Sequence, residues 1–340
     1  MDESFTEGIR GMIDTPTLQK IQAVIQNGKK FILTTHVNAD GDGIGSEIAL
    51  LHYLRELGKE VQVFNHNPTP ENLAFLDRRE DLQLYDPAKH SETVREADAV
   101  FILDISDWER LRELGKLLKQ TPLTKICIDH HPLDGKLGEI DWIFTGASST
   151  GEMMYDLLTK LGARLQGRML EALYTAILTD TGGFRFSNTN PRAHQIAGDL
   201  IARGVKPHHI YQEVYEKQSA NKMRLLGKIL NNLTFAQDGR LVWFAVTQDL
   251  MKVTGTQPRD TEGFADFPRS IDGVELCLMF LETEKRQVKI SFRSKGKIVI
   301  NGLANRYGGG GHPYASGALV DGNFQQVMQQ VVDEAKELFG

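Results

Sequence analysis

The chain has 340 residues, 41% of them hydrophobic and 25% charged, enough for two globular domains with a sizeable core. A formal net charge of −6 excludes a surface that coats long duplex nucleic acid through general positive charge, so a polyanionic substrate would have to be met by local cations or by metal. No apolar run approaches the ~18–20 residues of a membrane span. The two cysteines, Cys127 and Cys277, lie in apolar strand-like runs and exclude both a disulfide framework and a thiolate zinc site. The acidic stretch 1–16 lacks the apolar core of an export signal, and a cytoplasmic location is expected.

In chain order, the first half alternates strands with helices. Residues 29–36 read as a buried strand ending in His36, and 46–59 as an amphipathic helix with Ser46 as its N-cap. Residues 61–65 form a second strand and 99–106 a third, followed by a helix over 108–120; 125–131 form a fourth. This alternation predicts a mostly parallel sheet covered on both faces. From about 148 to 233 the pattern is helical, with helices over 167–183, 191–204 and 219–233. A hairpin around Asp238–Gly239, strands over 274–282 and 287–294, a glycine cluster at 307–317 and a terminal helix complete the chain. The expected division is residues 1–195, a helical connector over 196–232, and a smaller α/β domain over 233–340.

Acidic and imidazole residues collect where strands end, the edge at which open α/β sheets bind ligands. His36 is followed by Asp40-Gly41-Asp42-Gly43; the third strand carries Asp104; the fourth ends in Asp129-His130-His131; Asp180 closes a helix. Each piece alone reads as a turn, a cap or a surface position. Several strand ends bringing Asp and His to one edge read as a metal site, because unpaired carboxylates repel one another. Asp40, Asp42, Asp104 and Asp180 carry four negative charges when ionised, which two divalent cations balance. Imidazole and carboxylate donors without thiolate favour Mn²⁺, with Mg²⁺, Co²⁺ or Fe²⁺ as substitutes. Two such ions ~3.5–4 Å apart activate water and clamp a phosphoryl group. In the second half, Gly308–His312 with Ser316 and Gly317 can bring backbone amides against a phosphate, and Arg293, Lys295 and Arg306 lie nearby in sequence. Phe184 and Phe186, just after Asp180, are read as packing residues, with base stacking as the alternative role.

These motifs resemble the DHH phosphoesterase superfamily, and Gly309-Gly310-Gly311-His312 with Ala315, Ser316 and Gly317 resembles its companion DHHA1 domain. Nearly the whole chain is covered, in the family's order, and the two-domain layout is most similar to the bacterial oligoribonuclease/pAp phosphatase branch. The resemblance implies an active site in the cleft between the domains. It implies one metal on His36, Asp40 and Asp104, and another on Asp42, Asp104, His130 and Asp180, with Asp104 bridging. His131 becomes a general acid or phosphate contact, oriented with Asp129 behind it, and Arg293, Gly309, Gly310, Gly311, His312 and Ser316 bind substrate phosphate or the terminal nucleotide. Expected substrates are very short RNA and pAp, with cyclic or linear dinucleotides such as c-di-AMP and pApA, or single-stranded DNA, as alternatives. A homodimer without membrane attachment is expected. A manganese pyrophosphatase fits the glycine-rich ending poorly, and a catalytically dead binding module would have lost ligands that are all present.

Overall fold

The structure is a computed structural model that describes residues 13–105, 107–133, 135–284 and 286–340; the acidic N-terminal stretch read as no export signal lies largely outside the described residues. The chain packs as two compact units, residues 1–217 and 218–340. No helix among the described residues is long and apolar enough to cross a membrane.

The first unit runs α1 (Thr15–Asn27), β1 (Lys30–Thr34), α2 (Gly41–Glu56), β2 (Glu60–Asn65), β3 (Leu82–Leu84), α3 (Pro87–Arg95), β4 (Ala99–Leu103), α4 (Arg112–Gln120), β5 (Thr124–Asp129), β6 (Ile140–Ile143), α5 (Thr150–Lys160), α6 (Arg168–Asp180), α7 (Pro191–Ala202) and α8 (Pro207–Tyr215). Its six strands pair in the order β3-β2-β1-β4-β5-β6, all parallel. Because β1 and β4 are neighbours, the strand order reverses between them, and the carboxyl ends of β1, β4 and β5 flank that switch point. The central strands are apolar on both faces, as a sheet covered on both sides requires: Phe31, Leu33, Phe101 and Ile126 face one core cluster, and Ile32, Val100 and Ile102 the other.

The helix after β1 begins at Gly41, five residues earlier than the pattern of apolar positions predicts. Asp40 is its N-cap and accepts from the amides of Asp42 and Gly43, while Ser46 is buried inside the helix. The early start works because α2 lies against α6 along a seam of small residues. A Cβ on Gly41 would stand 2.4 Å from Thr179 Oγ1, and one on Gly45 would stand 2.4 Å from the Ala172 carbonyl oxygen. Cys127 and Cys277 are buried, as their apolar surroundings predict. Helices α7 and α8 bury Ile196, Leu200, Ile210 and Val214 in the first unit's core.

The second unit begins with α9 (Ala220–Leu230), whose Leu225, Leu226 and Ile229 are core residues. It continues through β7 (Thr234–Ala236), β8 (Leu241–Val246), α10 (Gln248–Thr254), β9 (Leu276–Glu282), β10 (Gln287–Ser294), α11 (Asn301–Arg306), β11 (Gly310–His312), β12 (Ala315–Asp321) and α12 (Phe324–Lys336). The sheet order is β11-β12-β10-β9-β8-β7, antiparallel except for the parallel pair β8–β9. Alternate residues of β9 supply separate cores on the sheet's two faces, and β10 adds Val288, Ile290 and Phe292 to one of them.

The Gly45 contact is with backbone and cannot relax cheaply. Gly45→Ala is expected to destabilise the first unit by about 1–3 kcal/mol, read as a lower urea midpoint by far-UV circular dichroism; an unchanged midpoint would contradict the close α2–α6 crossing.

Candidate metal centre

Three strand ends and two helix ends deliver the side chains. His36 follows β1, with its Nδ1 2.8 Å from the Val37 carbonyl oxygen, so Nε2 is turned toward Asp104 Oδ2 at 3.4 Å and Asp40 Oδ2 at 3.6 Å. Asp104 follows β4 in the left-handed region (φ 60°), a conformation a non-glycine residue holds only when its surroundings over-determine it. Its amide donates to Ile128 O at 3.0 Å, and the side chain is almost fully buried. His130, just past β5, places Nε2 3.4 Å from Asp180 Oδ2, 3.7 Å from Asp42 Oδ2 and 3.8 Å from Asp104 Oδ1.

Two groups result: His36, Asp40 and Asp104, and Asp42, His130 and Asp180. Asp104 joins them, since its Oδ2 faces His36 and its Oδ1 faces His130. A third overlapping set adds Asp129 and His131 beside Asp104. All eight residues expected from the sequence at this centre are therefore together.

The donor set fits small divalent cations. His130 Nε2 is buried without a hydrogen-bond partner, and its three carboxylate neighbours stand beyond hydrogen-bonding distance. Such separations are those kept by ligands of one ion with bonds of about 2.1 Å. The electrostatics agree. Burial, then Asp104, Asp180 and Asp40, pushes the Asp42 carboxyl well above the usual carboxylate range. Asp180 is raised by burial and then by Asp104 and Asp40. Burial would lower the His36 imidazolium, but Asp104 and Asp40 outweigh it and lift its pKa to about 10. Burial lowers His130. His131 is raised despite burial, because Asp129 and Asp104 face it.

Several supporting residues carry no sequence signal of their own. The amides of Thr150 and Gly151, at the start of α5, donate to the two oxygens of Asp42 at 2.7 Å each, and Thr150 Oγ1 donates to Asp104 Oδ1 at 3.2 Å. A helix N-terminus thus faces a carboxylate, as its dipole favours. The readable trace is Ser149 followed three positions later by Glu152, an N-terminus signature. Asn188 Nδ2 donates to Asp180 Oδ2 at 3.1 Å. Behind His36, Asn65 accepts from the Thr35 amide and donates to Glu47, whose carboxyl burial lifts to about 8.

In the second unit, His312, Ala315 and Arg293 occupy one cross-strand row, so His312 and Arg293 share a face of the sheet. Gly310, Gly311 and His312 are exposed. A Cβ on Gly309 would lie 2.1 Å from the Gly317 carbonyl oxygen, which explains a glycine there. Ser316 is buried and donates to the His312 carbonyl at 2.8 Å, bracing the turn. Arg306 pairs with Glu334 and Lys295 donates to the Ile271 carbonyl; Arg293, the arginine aligned with His312, donates to the Phe292 carbonyl at 3.0 Å and lies 3.9 Å from Asp266.

Residues 30–177 match the DHH family, N-terminal domain, and residues 224–340 the DHHA1 domain. The bifunctional oligoribonuclease and PAP phosphatase NrnA of Bacillus subtilis is 33% identical over 297 residues, 85% of this chain and 88% of the relative. The chain belongs to the DHH/DHHA1 family. The NrnA of Thermus thermophilus is 30% identical, covering 90% of this chain and 89% of that protein. An exopolyphosphatase-related protein from Bacteroides fragilis has the same fold, with a TM-score of 0.91 and 30% identity over 96% of this chain and 98% of that one.

Two outcomes follow. Asp42 and Asp180, held above the ordinary value of 3.8, retain protons at pH values where a free aspartate has lost them. The metal-free fold therefore loses stability as pH rises through their folded values, and a divalent cation must displace those protons. Calorimetric titration of Mn²⁺ into chelator-treated protein, in two buffers of different ionisation enthalpy, should register net proton release and an affinity that rises with pH; identical heats in both buffers would contradict this. Asn188→Ala should weaken Mn²⁺ binding by about 10–100-fold, as loss of a group that orients a ligand does.

Proposed function

We propose that this hydrolase is a two-metal phosphoesterase that cuts very short RNA to mononucleotides and removes the 3′-phosphate of pAp. The observation that carries the reading is Asp104, with one carboxylate oxygen toward each of two ligand groups. His36, Asp40 and Asp104 would hold one cation and Asp42, Asp104, His130 and Asp180 the other, with Mn²⁺ suited to this mixed donor set. Two such ions would neutralise charge on the phosphoryl oxygens and lower the pKa of the attacking water.

The chain's own residues then have distinct tasks. Asp129 accepts from both the amide and Nδ1 of His131, at 3.0 and 2.8 Å, and so fixes the ring and its tautomer. With its pKa raised by Asp129 and Asp104, His131 holds its proton more tightly than a free imidazole, which suits it to serve as the acid for the leaving oxygen. Thr150 and Gly151 clamp Asp42 so that the first unit's ligands do not shift during turnover. In the second unit, Arg293, His312 and the amides of Gly309–Gly311 bind a substrate phosphate or the terminal nucleotide, with Ser316 bracing the turn. A net charge of −6 suits short substrates, which need no extended basic track.

The test is a time course with Mn²⁺ and 5′-labelled RNA of two to about twenty-four nucleotides, with pAp in parallel. Fast cleavage of two- to five-mers and phosphate release from pAp are expected. Processive decay of the longest strands would assign a single-strand exonuclease, and activity confined to cyclic or linear dinucleotides a dinucleotide phosphodiesterase. Asp104→Ala should cost more than the about 100-fold of an outer-shell change while the protein stays folded; retained activity would refute the bridging role.

A further inference from the structure

The segment that leaves the metal centre behind Asp180 has a shape the reaction itself does not explain. Gly182, Gly183 and Phe184 all have positive φ, at 58°, 74° and 65°. Glycine adopts this freely, whereas Phe184 does so at a cost. The turn drives Phe184 inward, where its ring stacks on His194 with 4.9 Å between centroids and meets Tyr174 edge-on. It drives the next two residues outward. The amides of Arg185 and Phe186 both donate to the Thr181 carbonyl at 3.0 Å. The Phe186 ring presses on Gly182, where an added Cβ would stand 2.4 Å from it, yet it stays 36% exposed. The Arg185 guanidinium lies 5.3 Å from the centre of that ring, is exposed, and forms no ion pair among the described residues. Asn188 ties the far end of the segment to the Asp180 carboxylate and carbonyl.

A planar cation resting on an aromatic ring, its backbone tied to Thr181, the residue directly after Asp180, is a surface for a flat aromatic group beside a phosphate. Phe186 keeps the guanidinium flat, its outer face is open to a base, and its N–H edge can reach a neighbouring phosphate oxygen. We propose that Arg185 and Phe186 form a stacking platform that reads the nucleobase of the nucleotide whose phosphate is held at Asp180, making them specificity residues that favour nucleotides over inorganic phosphates. This rests on the phosphoesterase reading above.

The test compares kcat/KM, with Mn²⁺, for diadenylate and for two analogues lacking the base of one nucleotide or the other. Wild type should prefer diadenylate over one analogue by about tenfold or more, the effect of one stacked base. Arg185→Lys, which keeps the charge and loses the flat face, and Phe186→Leu should both bring that ratio toward one. Binding of a 2-aminopurine dinucleotide to the same proteins, read by fluorescence with Ca²⁺ in place of Mn²⁺, should show quenching in wild type and its loss in both variants. Equal rates on all three substrates in wild type would overturn the platform and leave the phosphoesterase intact. A base preference that survives in both variants would also overturn it, as would a uniform loss on all three substrates in Arg185→Lys, which marks a phosphate contact only. A wild type that cleaves none of them would overturn both readings.

Discussion

Three carboxylates, Asp42, Asp104 and Asp180, stand around one imidazole nitrogen with almost no access to solvent for the first two. Burying like charges side by side is among the most costly arrangements a protein can make. It raises the pKa values of the Asp42 and Asp180 carboxyl groups. Protons on Asp42 and Asp180, or cations between the oxygens, relieve the repulsion, so the free energy of metal binding is coupled to that of folding. The rest of the first unit can be understood as the scaffold that keeps these groups from separating.

That scaffold works at two scales. The parallel sheet fixes His36, Asp104 and the Asp129–His131 segment at the ends of β1, β4 and β5, and the reversal of strand order opens the space they face. Helices α2 and α6 then bring Asp40, Asp42 and Asp180 to the same place. They can do so only because Gly41 and Gly45 let the two backbones approach more closely than any side chain allows. The N-terminus of α5 supplies two amides to Asp42, offsetting part of the repulsion without adding a charged group. The positive φ of Asp104 belongs to the same set of constraints, since it aims one carboxylate at both ligand groups.

The clustered Asp and His residues are legible in the sequence because strand ends are legible: an apolar run that stops at Asp or His announces both the element and its exit. The long central strands and helices were readable for the same reason. Short edge strands such as β3 and β6 were not, since three or four residues carry too little pattern. The sequence pattern places the start of α2 at Ser46 because the apolar periodicity begins only after a glycine-rich turn, whereas the cap is Asp40, which the pattern marks only as a candidate ligand. A residue can be both, since Asp40 caps with one oxygen and faces His36 with the other. The grip of Thr150 and Gly151 on Asp42 is made by backbone amides, which any residue supplies, so no side-chain identity announces it. Phe184 and Phe186 share one reading in sequence, and only the positive-φ turn Gly182–Phe184 separates a half-buried residue packed against the core from an exposed one.

Charge counting ties the supporting residues to the proposed pair of ions. Glu47 is fully buried behind His36 and would add a fifth negative charge if ionised. Burial, only partly offset by the Asn65 amide, lifts its pKa to about 8, so it is predominantly neutral at pH 7. Asp129 faces His131, whose charged form its carboxylate favours. With Asp42 and Asp180 deprotonated and His36 neutral, as metal binding requires, what remains uncompensated is Asp40, Asp42, Asp104 and Asp180, a formal charge of four that two divalent cations would neutralise. The environment of Glu47 thus sets the ion count as much as the ligands do: a more polar pocket there would leave the centre one charge in excess, and the preference for a pair of divalent ions would weaken.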